Sequence, residues 1–193
     1  MTPSAEDLLA VARLYWGDDE AYRFRQDPSP EDLRYEALWE EKNAERPRWG
    51  SFVKTLRKAL PGCDAWDYTP GLANPSFCVL VYPHQERDMM RPQVTWTVAG
   101  YLSILAPLYT VHCVRRVFLA KHLMESKVFL GLIPPELQGI ADTLARHIEA
   151  EYGATALPLE VAQTPVPLYV NLMKPPETTL FHALFTADPW NIL

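Results

Sequence analysis

The side chains that could do chemistry in this chain are few and scattered. Its five histidines are His84, His112, His122, His147 and His182, and no two stand at the HxxxH or HExxH spacing that sets two metal ligands on one helix face. The three cysteines, Cys63, Cys78 and Cys113, form no CxxC pair. His112 and Cys113 are adjacent. On a strand, neighbouring side chains leave opposite faces, so these two cannot serve each other as base and nucleophile. GxSxG, GxxxxGK and GxGxxG are all missing, and the eight glycines are dispersed, so no phosphate-cradling loop is expected. The carboxylate pairs Glu40-Glu41 and Glu149/Glu151 lie at spacings that do not face each other on a helix. Asp18-Asp19-Glu20 reads as a solvated cluster. These residues predict no catalytic centre, no metal and no cofactor.

Charge bounds the partners. The net charge is -6, which argues against direct nucleic-acid binding, since that needs a basic surface. The acids concentrate late in the chain. Residues 134–193 hold seven (Glu136, Asp142, Glu149, Glu151, Glu160, Glu177, Asp188) against Arg146 and Lys174. Residues 93–133 hold Glu125 alone against Arg115, Arg116, Lys121 and Lys127. Of the Arg115-Arg116 pair, one is expected to meet a carboxylate. Six tryptophans are many for 193 residues. Trp96 is expected in the core, whereas Trp49, Trp66 and Trp190 would serve as interface anchors if exposed.

The elements that must position these residues follow from periodicity and punctuation. Ser4 with Asp7, and Ser29 with Pro30, open two helices, the first ending at Gly17-Asp18. A third helix is expected over about 49–60, and 64–76 reads as a loop marked by Pro70-Gly71 and Asn74-Pro75. Phe77–Tyr82 is a strand. Val94–Leu105 and Leu108–Phe118 form a hairpin, joined through Ala106-Pro107, at the centre of the sheet. A short strand near Lys127–Leu130 extends it. Leu137, Ile140, Ala141, Leu144, Ile148 and Tyr152 mark a helix over 135–152 that Gly153 closes. Prolines 158, 165 and 167 make 159–169 an edge strand or extended loop, and a last helix spans 179–185. The fold class is α+β, a mainly antiparallel sheet flanked by helices in a single domain, with a helical part over 1–60 and sheet plus helices over 77–193. The uncharged run 92–114 is long enough to span a bilayer, but its period-two start and its Pro107 speak against a membrane helix. The acidic N-terminus lacks the features of a secretory leader, so a cytoplasmic location is expected.

The segment Ala106-Pro-Leu-Tyr-Thr-Val-His112, Val166-Pro167 and Thr179-Leu-Phe-His-Ala-Leu-Phe-Thr186 resemble stretches of small bacterial proteins encoded beside toxins. Over about 94–186 the chain resembles immunity proteins of polymorphic toxin systems, of myxobacterial type. That resemblance implies a non-enzymatic protein without a cofactor that binds and neutralises one cognate toxin. Its contact residues are not fixed by motif. Charge points to Glu149, Glu151, Glu160, Glu177 and Asp188, with Trp190 as anchor, meeting a basic toxin. The rival reading is a small-ligand domain or enzyme with an apolar pocket between sheet and helices and Arg115, His112 or Cys113 at its mouth. A further rival is a regulatory interaction module with no toxin partner. The sequence leaves the oligomeric state open.

Overall fold

Two of the three opening helices start at serines that satisfy their own first turn. In α1 (Ala5–Ala12) the Ser4 hydroxyl accepts the Asp7 N–H, and the Asp7 carboxylate accepts the Ser4 N–H. Ser29 and Asp32 repeat the device in α2 (Pro30–Asn43). Each box pairs two amides that the helix itself leaves open. α1 stops earlier than expected, and Leu14 and Tyr15 continue it only as turns. α3 (Arg46–Ala59) has no capping bond and is held by packing of Trp49, Phe52, Val53 and Leu56. The computed structural model describes residues 3–20, 27–84, 93–119, 122–171 and 173–189.

The sheet runs β1-β2-β3-β4-β5 in space, every neighbour antiparallel. Its strands are β1 (Cys63–Asp67), β2 (Ser76–Pro83), β3 (Gln93–Ser103), β4 (Leu108–Leu119) and β5 (His122–Leu130). The expected hairpin is β3–β4, with β3 in the middle of the five. The expected membrane-length run is therefore strand from Gln93 onward, and no described helix is long and apolar enough to cross a membrane. β1 corrects the loop expected over 64–76. Only Ala65 of its residues is buried, as befits an edge strand, so its sequence lacks an apolar run. β5 is longer than expected because its first half pairs with β4 while its side chains stay largely in water.

The helix over 135–152 forms as expected. This α4 (Pro135–Tyr152) ends at Gly153, whose φ of 63° is the left-handed C-terminal conformation glycine adopts without strain. β6 (Thr155–Ala156) then pairs parallel to the start of β4. The extended segment expected over 159–169 is replaced at its start by α5 (Leu159–Ala162), which Pro158 can open because an N-terminal residue needs no donor. α6 (Leu180–Leu184) follows.

Strand alternation sends the two sheet faces to different covers. Tyr109 reaches Glu149 of α4, and Phe77 stacks on Trp49 of α3, so these residues share one face. The opposite face carries Tyr101, stacked on His112, and the His112 ring meets Phe181 of α6. The core is one continuous cluster. Two tryptophans differ in depth. Trp49 is fully buried, in contact with Phe52, Phe77 and Tyr152. Trp96, expected in the core, is partly buried against it and meets Phe129 of β5.

Truncating a buried tryptophan costs about 3–5 kcal/mol. Trp49→Ala is therefore expected to lose that much in urea unfolding, and Trp96→Ala distinctly less. Equal losses would contradict the burial described.

Candidate functional site

The acids singled out by charge do not converge on one another. Glu149 and Glu151 end α4, and both are engaged inside the molecule. The Tyr109 hydroxyl donates to Glu149 Oε1 at 2.5 Å, and Arg48 Nε donates to Glu151 Oε1 at 2.8 Å. Arg48 also donates to the Glu151 carbonyl and lies over the Tyr152 ring. Glu160 sits on α5, Glu177 in the turn before α6, and Asp188 beyond α6, where its N–H donates to Thr186 Oγ1. Glu160 and Glu177 are exposed. Trp190 lies outside the described residues. Among the other candidate anchors Trp49 is core, and Trp66 is 56% exposed on β1 with the Arg57 guanidinium 5.0 Å from its ring centre. Arg57 Nε also donates to the Ala65 carbonyl, which covers part of this sheet edge.

The residues of the rival reading are placed apart. Neither His112 nor Cys113 has exposed surface, and they point to opposite faces as alternation requires. His112 lies flat against Tyr101, with ring centres 5.4 Å apart and planes 8° apart. Burial lowers its pKa to about 4, so the ring is neutral at neutral pH. Burial likewise pushes the Cys113 thiol up to about 12, far from a reactive thiolate. Arg115 pairs with Glu125 across the β4–β5 ladder at 3.3 Å. The described residues hold no group of three or more His, Cys, Asp or Glu that could share a metal ion.

Two concavities lie among the described residues. One, of about 200 Å³, opens where the outer edge of β4 changes partner. β5 pairs β4 only from His112 onward and β6 only at Leu108 and Tyr109, so Thr110 and Val111 lie in the gap. Its walls are apolar, with Gln138 and Asp142 at the rim bonded to each other at 2.7 Å. Gly131 lines one end with a φ of 73°, a conformation that favours glycine, and a Cβ there would meet Leu159 Cδ2 at 2.5 Å.

The other cleft, of about 420 Å³, lies between α3 and α4 and is lined by Arg48, Ser51, Thr55, Arg146, His147 and Glu151. Its polar groups satisfy one another. Ser51 and Thr55 donate to carbonyls one turn back, and Arg146 donates to Thr143. His147 Nδ1 stands 2.8 Å from the Thr143 carbonyl, so that nitrogen carries the proton. Reading the charge by thirds of the chain missed this cleft. Its signal was local: α3 has five bases, Arg46, Arg48, Lys54, Arg57 and Lys58, and no acid.

Both His112 ring nitrogens lack a hydrogen-bond partner within the described structure. The unfolded chain takes up a proton below about pH 6.5, whereas the folded chain resists it down to about pH 4. The proton thus favours the unfolded state, and stability falls as pH drops through that window, by about 3 kcal/mol when the fall is complete. His112→Phe keeps the ring packing and removes the titration. Urea unfolding across this range is expected to show a flatter acid limb for the variant, and identical limbs would refute the assignment.

No protein-family model, no curated protein and no solved structure matches this chain, so its function has to be argued from the residues themselves.

Proposed function

We propose that this protein is a non-enzymatic inhibitor, an immunity protein that binds and neutralises a cognate bacterial toxin. One contrast carries the reading. The adjacent base and nucleophile candidates His112 and Cys113 are sealed in the core on opposite faces, while the acids of the C-terminal third stand at the surface. Glu160 and Glu177 matter most, because no hydrogen bond or ion pair of their carboxylates is formed among the described residues. Glu149 and Glu151 are already committed to Tyr109 and Arg48, and reversing them would disturb the fold as well as any interface. A basic toxin surface would find the free acids first, and such rim charges act mainly on the rate of encounter.

The second reading, a small apolar ligand, draws on the concavity beside Thr110 and Val111. It has the right lining for such a ligand but few polar groups to confer specificity.

The test is co-expression with a toxin encoded beside this chain, followed by binding kinetics of the purified pair. The parent protein is expected to protect. Glu160→Lys with Glu177→Lys is expected to slow association about tenfold at low salt, to weaken its salt dependence and to leave thermal stability unchanged. Absence of protection by the parent would remove the inhibitor reading. Unchanged association by the double variant would move the interface off this surface.

A further inference from the structure

We propose that β5 is a self-association edge, pairing antiparallel with β5 of a second copy about a twofold axis through Ser126. The backbone supplies the first argument. Leu157 N–H donates to the Tyr109 carbonyl, so odd-numbered residues of β4 turn their peptide groups away from β3, toward β6 and β5. Their partners on β5, Phe129, Lys127 and Glu125, are thereby spent on β4. Ser126 and Val128 alternate with them and direct their N–H and C=O groups outward. β5 is last in the sheet order, and no described strand pairs with that outer side. An edge of this kind is a template for another strand.

The second argument is what the edge carries. At its start Leu123 and Met124 are 53% and 63% exposed, although both are large and apolar. A bulge opposite Val117 and Phe118 limits regular pairing to the stretch that follows. In that stretch Glu125 and Lys127 flank Ser126 on one face.

The third argument fixes the occupant and the register. With the axis at Ser126, Glu125 lies opposite Lys127 of the second copy, and by symmetry the same pair forms twice. Moving the axis to Glu125 sets two glutamates against each other, and moving it to Lys127 sets two lysines against each other, both unfavourable for directly opposed residues. The order Glu-Ser-Lys is thus complementary to itself in one register. The contact is small, so a dissociation constant on the order of micromolar is expected. This inference is independent of the inhibitor reading.

The test is sedimentation equilibrium of the full chain across micromolar concentrations. The parent is expected to show a monomer–dimer equilibrium. Lys127→Glu sets like charges opposite each other twice and is expected to raise the dissociation constant about tenfold or more. The carboxylate introduced there faces Arg115 on β4, so the β4–β5 ladder stays intact. Adding Glu125→Lys restores opposite charges in the same register and is expected to recover the dimer. Ser126→Pro removes the outward donor at the axis without touching a β4 bond and is expected to abolish it. Circular dichroism of each variant checks that the fold is unchanged. A parent that stays monomeric throughout, a dimer that survives both Lys127→Glu and Ser126→Pro, or a swap that fails to restore it would each overturn the proposal.

Discussion

Trp49 is the contact on which the rest of the molecule depends. Its ring stacks on Phe52 of its own helix and on Phe77 of β2, touches Tyr152 at the end of α4, and donates its Nε1 proton to Asp67 of β1 at 3.2 Å. One side chain therefore joins α3, α4 and two strands, while Trp39 of α2 meets Phe77 from the side. A buried aromatic contributes large area, and the hydrogen bond satisfies the one polar atom that burial would strand. The acidic Asp67 on an edge strand has its explanation here. It also caps Thr69 and meets Arg46, so a carboxylate in a short strand organises the corner where the helical N-terminus joins the sheet.

The opposite face is closed by a different device. α6 is only five residues long and could not persist alone. It is held by polar bonds to distant chain: Trp16 Nε1 donates to the Ala183 carbonyl, and Ser76 Oγ donates to the Phe185 carbonyl. Phe181 and Phe185 fill the space between them over Tyr101 and His112. The consequence for function is direct. The same closure that stabilises the C-terminal segment removes His112 from solvent and lowers its basicity. Exposed on the described surface are Glu160 and Glu177, the basic residues of α3, Trp66 beside Arg57, and the outer edge of β5.

Errors in the residue-level reading share a cause. The loop read over 64–76 from Pro70-Gly71 and Asn74-Pro75 begins instead as part of the strand Cys63–Asp67, because β2 offers it an edge. Prolines 158, 165 and 167 suggest an extended segment, yet Leu159–Ala162 turns once as helix. There Leu159 packs on Gly131, and Leu180 N–H donates to Thr164 just beyond. In both places a partner far along the chain overrides local preference. The acidic count of the last third was correct as a sum, but Glu149 and Glu151 are already bonded to Tyr109 and Arg48, and α3 gathered bases that the overall charge concealed.

By itself the sequence determined the α+β class, the two serine-capped helices, the long helix closed by Gly153 and the β3–β4 hairpin at the middle of the sheet. These depend on short-range chemistry: a hydroxyl three residues from a carboxylate, a period of three to four, a glycine that tolerates positive φ. Tertiary structure alone decided that Trp49 is fully buried and Trp96 partly so, and that His112 is sealed while no described strand covers the outer edge of β5. The physical reason is that alternation tells which face of a strand is apolar, whereas burial depends on which element comes to cover that face. That choice is made by contacts such as Ser76 with Phe185 and Arg48 with Glu151, whose partners stand about a hundred residues apart.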